Sequence, residues 1–526
     1  MNVPLSIGLV LLLSAPAHAL IGGHPEPDDS NFVAITTASS NCAGVLLTPN
    51  LILTSGRCID GKEQQHPELI GYFHGLVHGD EDSDRNPVRE VYRIPAESPH
   101  PDFALMRLGS PLGTVGGIAA TGFPIYPGQI EALHDLKCFG LGPLSAAELH
   151  FYGNTLASAD YHVAGVVGSQ LVLAGLPLHV YDQGGVCFNQ GPSGPEIAAI
   201  LATSSEPMSI TTARKAIAEF RTSYNLVASN SGMCLGKNSS GSGVWQFPCA
   251  DPATEFAQDQ TWMVRRVPQL PNNVQSFQIR TQRYSNDCLG VTGNGEVGFS
   301  PCPPDMPAGT SWPPLLPSMP RAEQIWLMHD LDDGAVQIAS QMTGLCISLD
   351  GSTSLGTFAR QMPCDERRAD QRFHINAVEL EGGPFRIANW EAPSLCVDIA
   401  GASPDDGAAI NEFSCHGGPN QNFLMGRNAG STFHYIQPMH ALSEAIEVPN
   451  YDSTPGALLR QWHFSAEKNQ QWMFSWDVFG TYRIIAKHDG QCMTTQANFS
   501  GAPMVQKPCR YDGPSHESPM QTFIIE

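Results

Sequence analysis

Residues Cys396–Phe423 read CVDIAGASPDDGAAINEFSCHGGPNQNF. Two cysteines enclose a run of turn residues, and Gln421–Phe423, a Gln-x-aromatic triplet, follows the second. The triplet recurs at Gln260–Trp262, Gln324–Trp326, Gln371–Phe373, Gln470–Trp472 and Gln521–Phe523, so the six copies lie 64, 47, 50, 49 and 51 residues apart. A period near 50 marks a repeat architecture, in which units bury their apolar faces against one another. Every unit but the fifth carries two cysteines ahead of the triplet: Cys234/Cys249, Cys288/Cys302, Cys346/Cys364, Cys396/Cys415 and Cys492/Cys509. The fifth has Ala445 and Phe464 instead. Both partners are lost together there, which indicates a disulfide within each remaining unit, since losing one alone would leave a free thiol. The long first step comes from a Pro-rich insertion, Pro301–Pro320, read as a surface loop.

Upstream of the repeats the text changes. Val45–Thr54, Val88–Ile94, Phe103–Leu108, Ala164–Leu176 and Ile197–Ala202 are apolar runs bounded by Gly, Pro, Asn or Ser, and they predict strands. Ile210–Ser223 has helical spacing. The expected class is all-β: a barrel domain closed by a helix, then the repeats. At the start, the apolar core Leu5–Leu13 is too short to span a bilayer, and Ala17-His18-Ala19 is a cleavage pattern. Residues 1–19 therefore read as a signal peptide of a secreted, extracellular protein, a compartment in which disulfides persist.

Composition excludes several classes. Lys plus Arg number 28 against 51 Asp plus Glu, a net charge of −23, so a nucleic-acid partner is not expected. No later segment is long and apolar enough to span a membrane. There is no paired CxxC zinc pattern and no P-loop, and no cofactor or metal is expected. Asp80, Asp82 and Asp84 alternate like calcium ligands, but Arg85 stands where an EF-hand loop needs Gly, and a solvated acidic loop is the reading. Asn238-Ser239-Ser240 and Asn498-Phe499-Ser500 fit the glycosylation sequon.

The six Cys…Cys…Gln-x-aromatic units resemble those of ricin-type lectins, whose β-trefoil is built from three. The resemblance implies two trefoils, 224–377 and 378–526, with the repeated aromatic in the core, and glycans or glycoconjugates as partners. Sugar binding in that family needs an Asp two residues after the first Cys and an aromatic platform two residues before the second. An amide two residues before the platform and the residue preceding the repeat Gln complete the set. The fourth unit has them all: Asp398, Asn411, Phe413, Asn420 and Gln421. The fifth holds an altered second set, Glu447, Arg460, Trp462, Asn469 and Gln470. The others lack the carboxylate (Gly236, Gly290, Ser348, Thr494), and of their platform positions only Phe247 is aromatic. The competing reading makes all six units structural copies.

Leu20–Gly23, CAGVLLTPNLILTSGRC (Cys42–Cys58), HPDFALMRL (His100–Leu108), KCFGLG (Lys137–Gly142) and YDQGGV (Tyr181–Val186) are similar, in order, to landmarks of trypsin-like serine proteases. The resemblance implies a two-barrel domain over 20–223 ending in a helix, with bridges Cys42–Cys58 and Cys138–Cys187. Pairings Cys234–Cys249, Cys288–Cys302, Cys346–Cys364, Cys396–Cys415 and Cys492–Cys509 then use all 14 cysteines. Family catalysis needs a Ser nucleophile, a His base and an orienting Asp. Here Arg57 stands in the His place and cannot act as a base, Gln183 stands in the Ser place, and only Asp102 remains. Tyr181 replaces a Gly of the oxyanion hole. The expectation is a catalytically dead pseudoprotease, with Arg57 paired to Asp102. Cleavage of the signal would expose Leu20, whose α-amino group is expected to pair with Asp182 as a structural latch. Two alternatives remain at this level: an active secreted endopeptidase targeted to glycans by its lectin half, and an adhesion or protein-interaction protein, with a protein ligand on the protease-like domain.

Overall fold

The computed structural model describes residues 24–25, 31–36, 41–48, 50–59, 69–72, 88–93, 103–108, 114–115, 118–119, 123, 125, 130, 132, 134–141, 156–167, 170–174, 185–191, 194–201, 207–209, 214–237, 243–250, 254–267, 276–281, 287–292, 295–302, 322–331, 333–380, 384–427, 431–478, 480–510 and 519–525. It is an all-β protein, with strands dominating every part.

In the N-terminal half, one sheet runs Leu69–Tyr72, Phe32–Thr36, Asn41–Thr48, Leu51–Ser55, Phe103–Leu108, Val88–Arg93. A second joins Leu156–Val167, Asp135–Leu141, Val186–Gly191, Gly194–Leu201, Pro207–Ser209 and Gln170–Ala174, and pairing of its last strand with its first closes it into a barrel. Phe103 and Leu105 face one apolar cluster, while Ala104, Met106 and Leu108 face another. Burial on both faces explains why these strands read as unbroken apolar runs rather than alternating ones.

Two runs expected as single strands are hairpins, and both carry turn residues at the break, Thr48-Pro49-Asn50 and Gly168-Ser169. The run Val45–Thr54, expected as one strand, is a hairpin of Asn41–Thr48 and Leu51–Ser55. The Thr48 hydroxyl donates to Asn50 Oδ1 (2.8 Å) at its turn. Ala164–Leu176 likewise folds into Leu156–Val167 and Gln170–Ala174. The helix expected to reach Ser223 stops at Arg221, and the strand Thr222–Ala228 follows at once. The Thr222 hydroxyl donates to Ala218 O (2.7 Å), so it closes the last turn instead of extending it.

The C-terminal half holds two six-stranded barrels, each with three hairpins, all three disulfide-bonded in the first and two of three in the second. The first barrel consists of Thr222–Ala228, Trp262–Arg266, Ser276–Thr281, Trp326–Asp330, Val336–Ser340 and Phe373–Leu380, paired in a closed ring. The second consists of Ile387–Asn389, Phe423–Arg427, His434–Pro438, Trp472–Trp476, Tyr482–Ala486 and Phe523–Ile525, closed by the bridge Phe385↔Phe423. The strand Phe373–Leu380 spans residues 377 and 378, and at Ile375 and Asn376 it also pairs with Trp472–Trp476 of the second barrel. One apolar cluster spans both barrels.

The repeat triplet fixes each hairpin to its barrel. Trp262, Trp326 and Trp472 are fully buried, and their indole N–H groups donate to Leu235 O, Leu289 O and Ile446 O. The glutamine closes the chain around the second cysteine. Gln371 donates to Pro363 O and accepts from the Asp365 amide, and Gln521 repeats this with Pro508 and Arg510. Bridges Cys138–Cys187, Cys234–Cys249, Cys288–Cys302, Cys346–Cys364, Cys396–Cys415 and Cys492–Cys509 are present, and Cys58 is also disulfide-bonded. Among the described residues no helix is long and apolar enough to cross a membrane.

Candidate functional site

The fourth unit is a hairpin of Leu395–Ile399 and Ile410–Ser414, with Cys396 opposite Phe413 and Asp398 opposite Asn411. Strand alternation sends Val397 and Ile399 into the core and leaves Cys396 and Asp398 on the other face. Asp398 is only 4% exposed, yet Phe413 beside it is 44% exposed. The carboxylate is held through one oxygen. Asn420 Nδ2 (2.8 Å) and Gln421 Nε2 (3.0 Å) both donate to Asp398 Oδ2, and His416 Nε2 lies 3.4 Å from it. Asp398 Oδ1 accepts no hydrogen bond from the described residues. The Asn411 side chain, half-buried across the hairpin, likewise makes none. Burial pushes the Asp398 carboxyl above its ordinary pKa, against the pull of Gln421, His416 and Asn420.

His416 was not among the residues picked from sequence. Its Nδ1 accepts from the Gly418 amide (3.1 Å), which leaves the proton of the neutral ring on Nε2, facing Asp398. The ring also stands edge-on to Phe413, with centroids 6.2 Å apart. Its position directly after Cys415, inside the short loop to Gln421, was the available signal. That loop is tied by the His416 amide donating to Gln421 Oε1 (2.8 Å). The arrangement thus offers one carboxylate oxygen, one amide and an exposed ring face on a cross-linked hairpin, with His416 spent on holding the carboxylate. These are the parts of a small polar site with an apolar platform.

The fifth unit is assembled differently. Arg460 stands opposite Glu447. Its Nε and Nη2 contact Glu447 Oε1 at 2.9 and 2.8 Å, and its guanidinium lies 3.7 Å from the Trp462 ring centroid. Asn469 and Gln470 donate to Glu447 Oε2. All five residues come together, but the platform is covered by the unit's own cation. In the first and second units, a Cβ added at Gly236 or Gly290 would lie 2.8 Å from Gln260 Cγ or 2.9 Å from Glu323 O, so the carboxylate position has no room for a side chain. In the third, Ser348 donates to Asp370, and in the sixth, Thr494 accepts from Gln521.

In the N-terminal half, Arg57 lies in the short 3-10 segment Gly56–Ile59. Its side chain, that of Cys42, and residues Asp102, Gln183, Leu20 and Asp182 lie outside the described residues, as do residues 1–19 and Asp80–Asp84. Asn498 is described: its side chain donates to Glu391 Oε2 (3.1 Å) and accepts from Asn389 (3.1 Å).

The fold and the site thus define a disulfide-bonded all-β protein with a buried carboxylate beside an exposed phenyl ring on one hairpin of its second barrel. Comparison with known families agrees: residues 383–517 match the ricin-type β-trefoil lectin domain, and residues 20–126 match the trypsin family. The chain therefore carries a match to the trypsin family in its N-terminal part and a match to the ricin-type lectin domain in its C-terminal part. No curated protein matches it. Among solved structures it is similar to ThreeFoil, a designed 3-fold symmetric protein, at 24% identity, covering 27% of this chain and 97% of that one with a TM-score of 0.25. A mosquitocidal holotoxin matches at 11% identity over 94% of this chain and 46% of its own, with a TM-score of 0.26. The hemolytic lectin CEL-III matches at 18% identity over 58% and 63%, with a TM-score of 0.22.

Proposed function

We propose that the protein is a secreted lectin that binds a pyranose sugar through its fourth repeat, and that its trypsin-like half performs no peptidase chemistry. The observation that carries the binding reading is Asp398: a buried carboxylate held from behind on Oδ2, with Oδ1 uncommitted beside an exposed phenyl ring. A sugar hydroxyl would donate to Oδ1, Asn411 would meet a neighbouring hydroxyl, His416 would hold the carboxylate in place, and the ring's C–H face would lie on Phe413. The fifth repeat is a lesser site, because Arg460 must leave Trp462 before a sugar can stack there. The loss of peptidase activity rests on sequence: Arg57 and Gln183 supply neither base nor nucleophile. The disulfides suit an oxidising compartment, reached through the leader 1–19. A glycan array probed with the mature full chain and with Asp398→Ala tests the reading. Binding by the first and not the second is expected, and equal binding would overturn it. A fluorogenic peptide panel with a serine-directed phosphonate tests the other half, where turnover or stoichiometric labelling of any Ser would sink it.

A further inference from the structure

The tip of the sugar-site loop does not face solvent alone. Gly417, the residue after His416, has φ +70°, and a Cβ built on it would lie 2.3 Å from Glu196 Oε1. Glu196 belongs to the strand Gly194–Leu201 of the trypsin-like half and is 2% exposed. Its partner is Arg386, 3% exposed, from the edge of the lectin barrel, with Arg386 Nη1 3.3 Å from Glu196 Oε1. Arg386 Nη2 also donates to Ile125 O of the trypsin-like half. Arg386 follows Phe385, which pairs through both backbone bonds with Phe423, the residue at which the loop rejoins the barrel. Glu196 therefore touches the loop at its tip and grips the strand neighbouring its exit.

The loop passes such a contact on to the site. Asn422 Nδ2 donates to Gly417 O (2.8 Å) and Gly418 O (3.1 Å), the Gly418 amide donates to His416 Nδ1, and the His416 amide donates to Gln421. His416, Asn420 and Gln421 all converge on Asp398 Oδ2. A displacement at Gly417 cannot be absorbed without moving at least one of them, because every rung of the ring is a hydrogen bond. Burial raises the Glu196 carboxyl against the pull of Arg386, and Arg221, lowered to about 10 by burial and then by Arg386, adds a second guanidinium to the joint. Removing the Glu196 carboxylate takes a charge partner from the buried Arg386 guanidinium, a costly change.

We infer that the trypsin-like half serves the lectin as a positioning element: Glu196, clamped by Arg386, seats under Gly417 and sets the geometry of the loop 415–422 at the fourth-repeat sugar site. Glu196 is a positioning residue, and it touches no sugar itself. The inference deepens the glycan-binding reading and rests on it. A retained protease-like fold without protease chemistry then has a task, as the second wall of a sugar-binding loop.

The test uses the full mature chain. Glu196→Gln keeps the volume and removes the charge. Gly417→Ala tests the contact from the lectin side with the ion pair intact. Gly344→Ala is its control, since Gly344 has φ +68° but nothing within 4 Å of its Cβ position. Hydrogen exchange by mass spectrometry reads the loop 415–422 against the matching third-unit segment 364–372, and retention on agarose substituted with galactose, mannose or N-acetylglucosamine reads binding. Glu196→Gln and Gly417→Ala should each accelerate exchange in 415–422 and not in 364–372, and weaken retention by about fivefold or more, at the low end of measured inter-site couplings. Gly344→Ala should leave both readings of the fourth unit unchanged. Wild type retained, with loop exchange and retention unaltered in both variants, overturns the positioning role alone. Wild type retained on no matrix removes the glycan reading, and the positioning role with it.

Discussion

Replacing Asp398 with alanine separates binding from folding more sharply than any other change in the protein. The carboxylate is the obvious anchor for two buried amides, so its loss might be expected to unfold the hairpin. The hydrogen bonds say otherwise. Asn420 Nδ2 has a second acceptor in Ile399 O (3.0 Å), and Gln421 Nε2 has one in Ser414 O (3.0 Å). Each amide keeps one of its two N–H bonds, the other is left to water entering the space of the lost carboxylate, and Cys396–Cys415 still staples the hairpin. The raised pKa of Asp398 points the same way, because the fold disfavours its charged form at neutral pH. The net stability change should therefore be about 1 kcal/mol or less, a melting shift of roughly 2–4 °C for a domain of this size. Binding loses a charge-assisted hydrogen bond from a sugar hydroxyl, about 1.5–3 kcal/mol. That is on the order of a 10–150-fold weaker dissociation constant. Calorimetric titration with the strongest array ligand, beside thermal denaturation of the same samples, reads both quantities. A folded Asp398→Ala protein with wild-type affinity would refute the assignment, and a protein that loses binding only by unfolding would refute the view that the remaining bonds of Asn420 and Gln421 suffice to hold the hairpin.

Phe413→Ala should weaken the same titration by about tenfold, because the exposed ring is an aromatic platform of the kind worth roughly 0.5–1.5 kcal/mol beyond its area; an unchanged constant would remove the stacking. Sugar retention should fall as pH is lowered through the Asp398 pKa, beginning above the ordinary value of 3.8, since burial raises it and only the carboxylate accepts from a hydroxyl well; retention that persists to pH 3 would contradict this. Arg460→Gln in the Asp398→Ala background should restore some retention, because it uncovers Trp462 and recreates an acid–amide–aromatic set; no recovery would mark the fifth unit as structural. Between the two barrels, Asp330 accepts from the Val478 amide and is raised to about 7 by burial and then by Asp477, with Arg483 and Arg266 opposing. A raised carboxyl gives stability that is full below the unfolded value near 4 and lost as pH rises through about 7. Asp330→Asn should accordingly raise the melting temperature at pH 8 and leave it nearly unchanged at pH 4, and the opposite order would show that the charged form is the favoured one.

The sequence by itself determined what is local. Cysteine pairs, repeat glutamines and tryptophans act within some fifty residues, so their spacing carries the repeat and its disulfides, while the resemblance to ricin-type lectins is what singles out Asp398, Asn411, Phe413, Asn420 and Gln421 in the fourth unit. Strand limits were less legible, because strands such as Phe103–Leu108 bury both faces and lack the alternation that marks a strand, while the short Thr48-Pro49-Asn50 break was the signal for the turn that divides Val45–Thr54. Tertiary structure decided the rest. The tautomer of His416 depends on a backbone amide two residues on, which no residue type announces. Arg460 looked like an altered sugar contact, and only the fold laid its guanidinium across Trp462. Glu196 and Gly417 are ordinary residues in separate halves of the chain, and their contact exists because a buried ion pair with Arg386 brings one strand end against one loop. Periodicity reports which face of a strand is buried, and it carries no information about which distant surface covers that face.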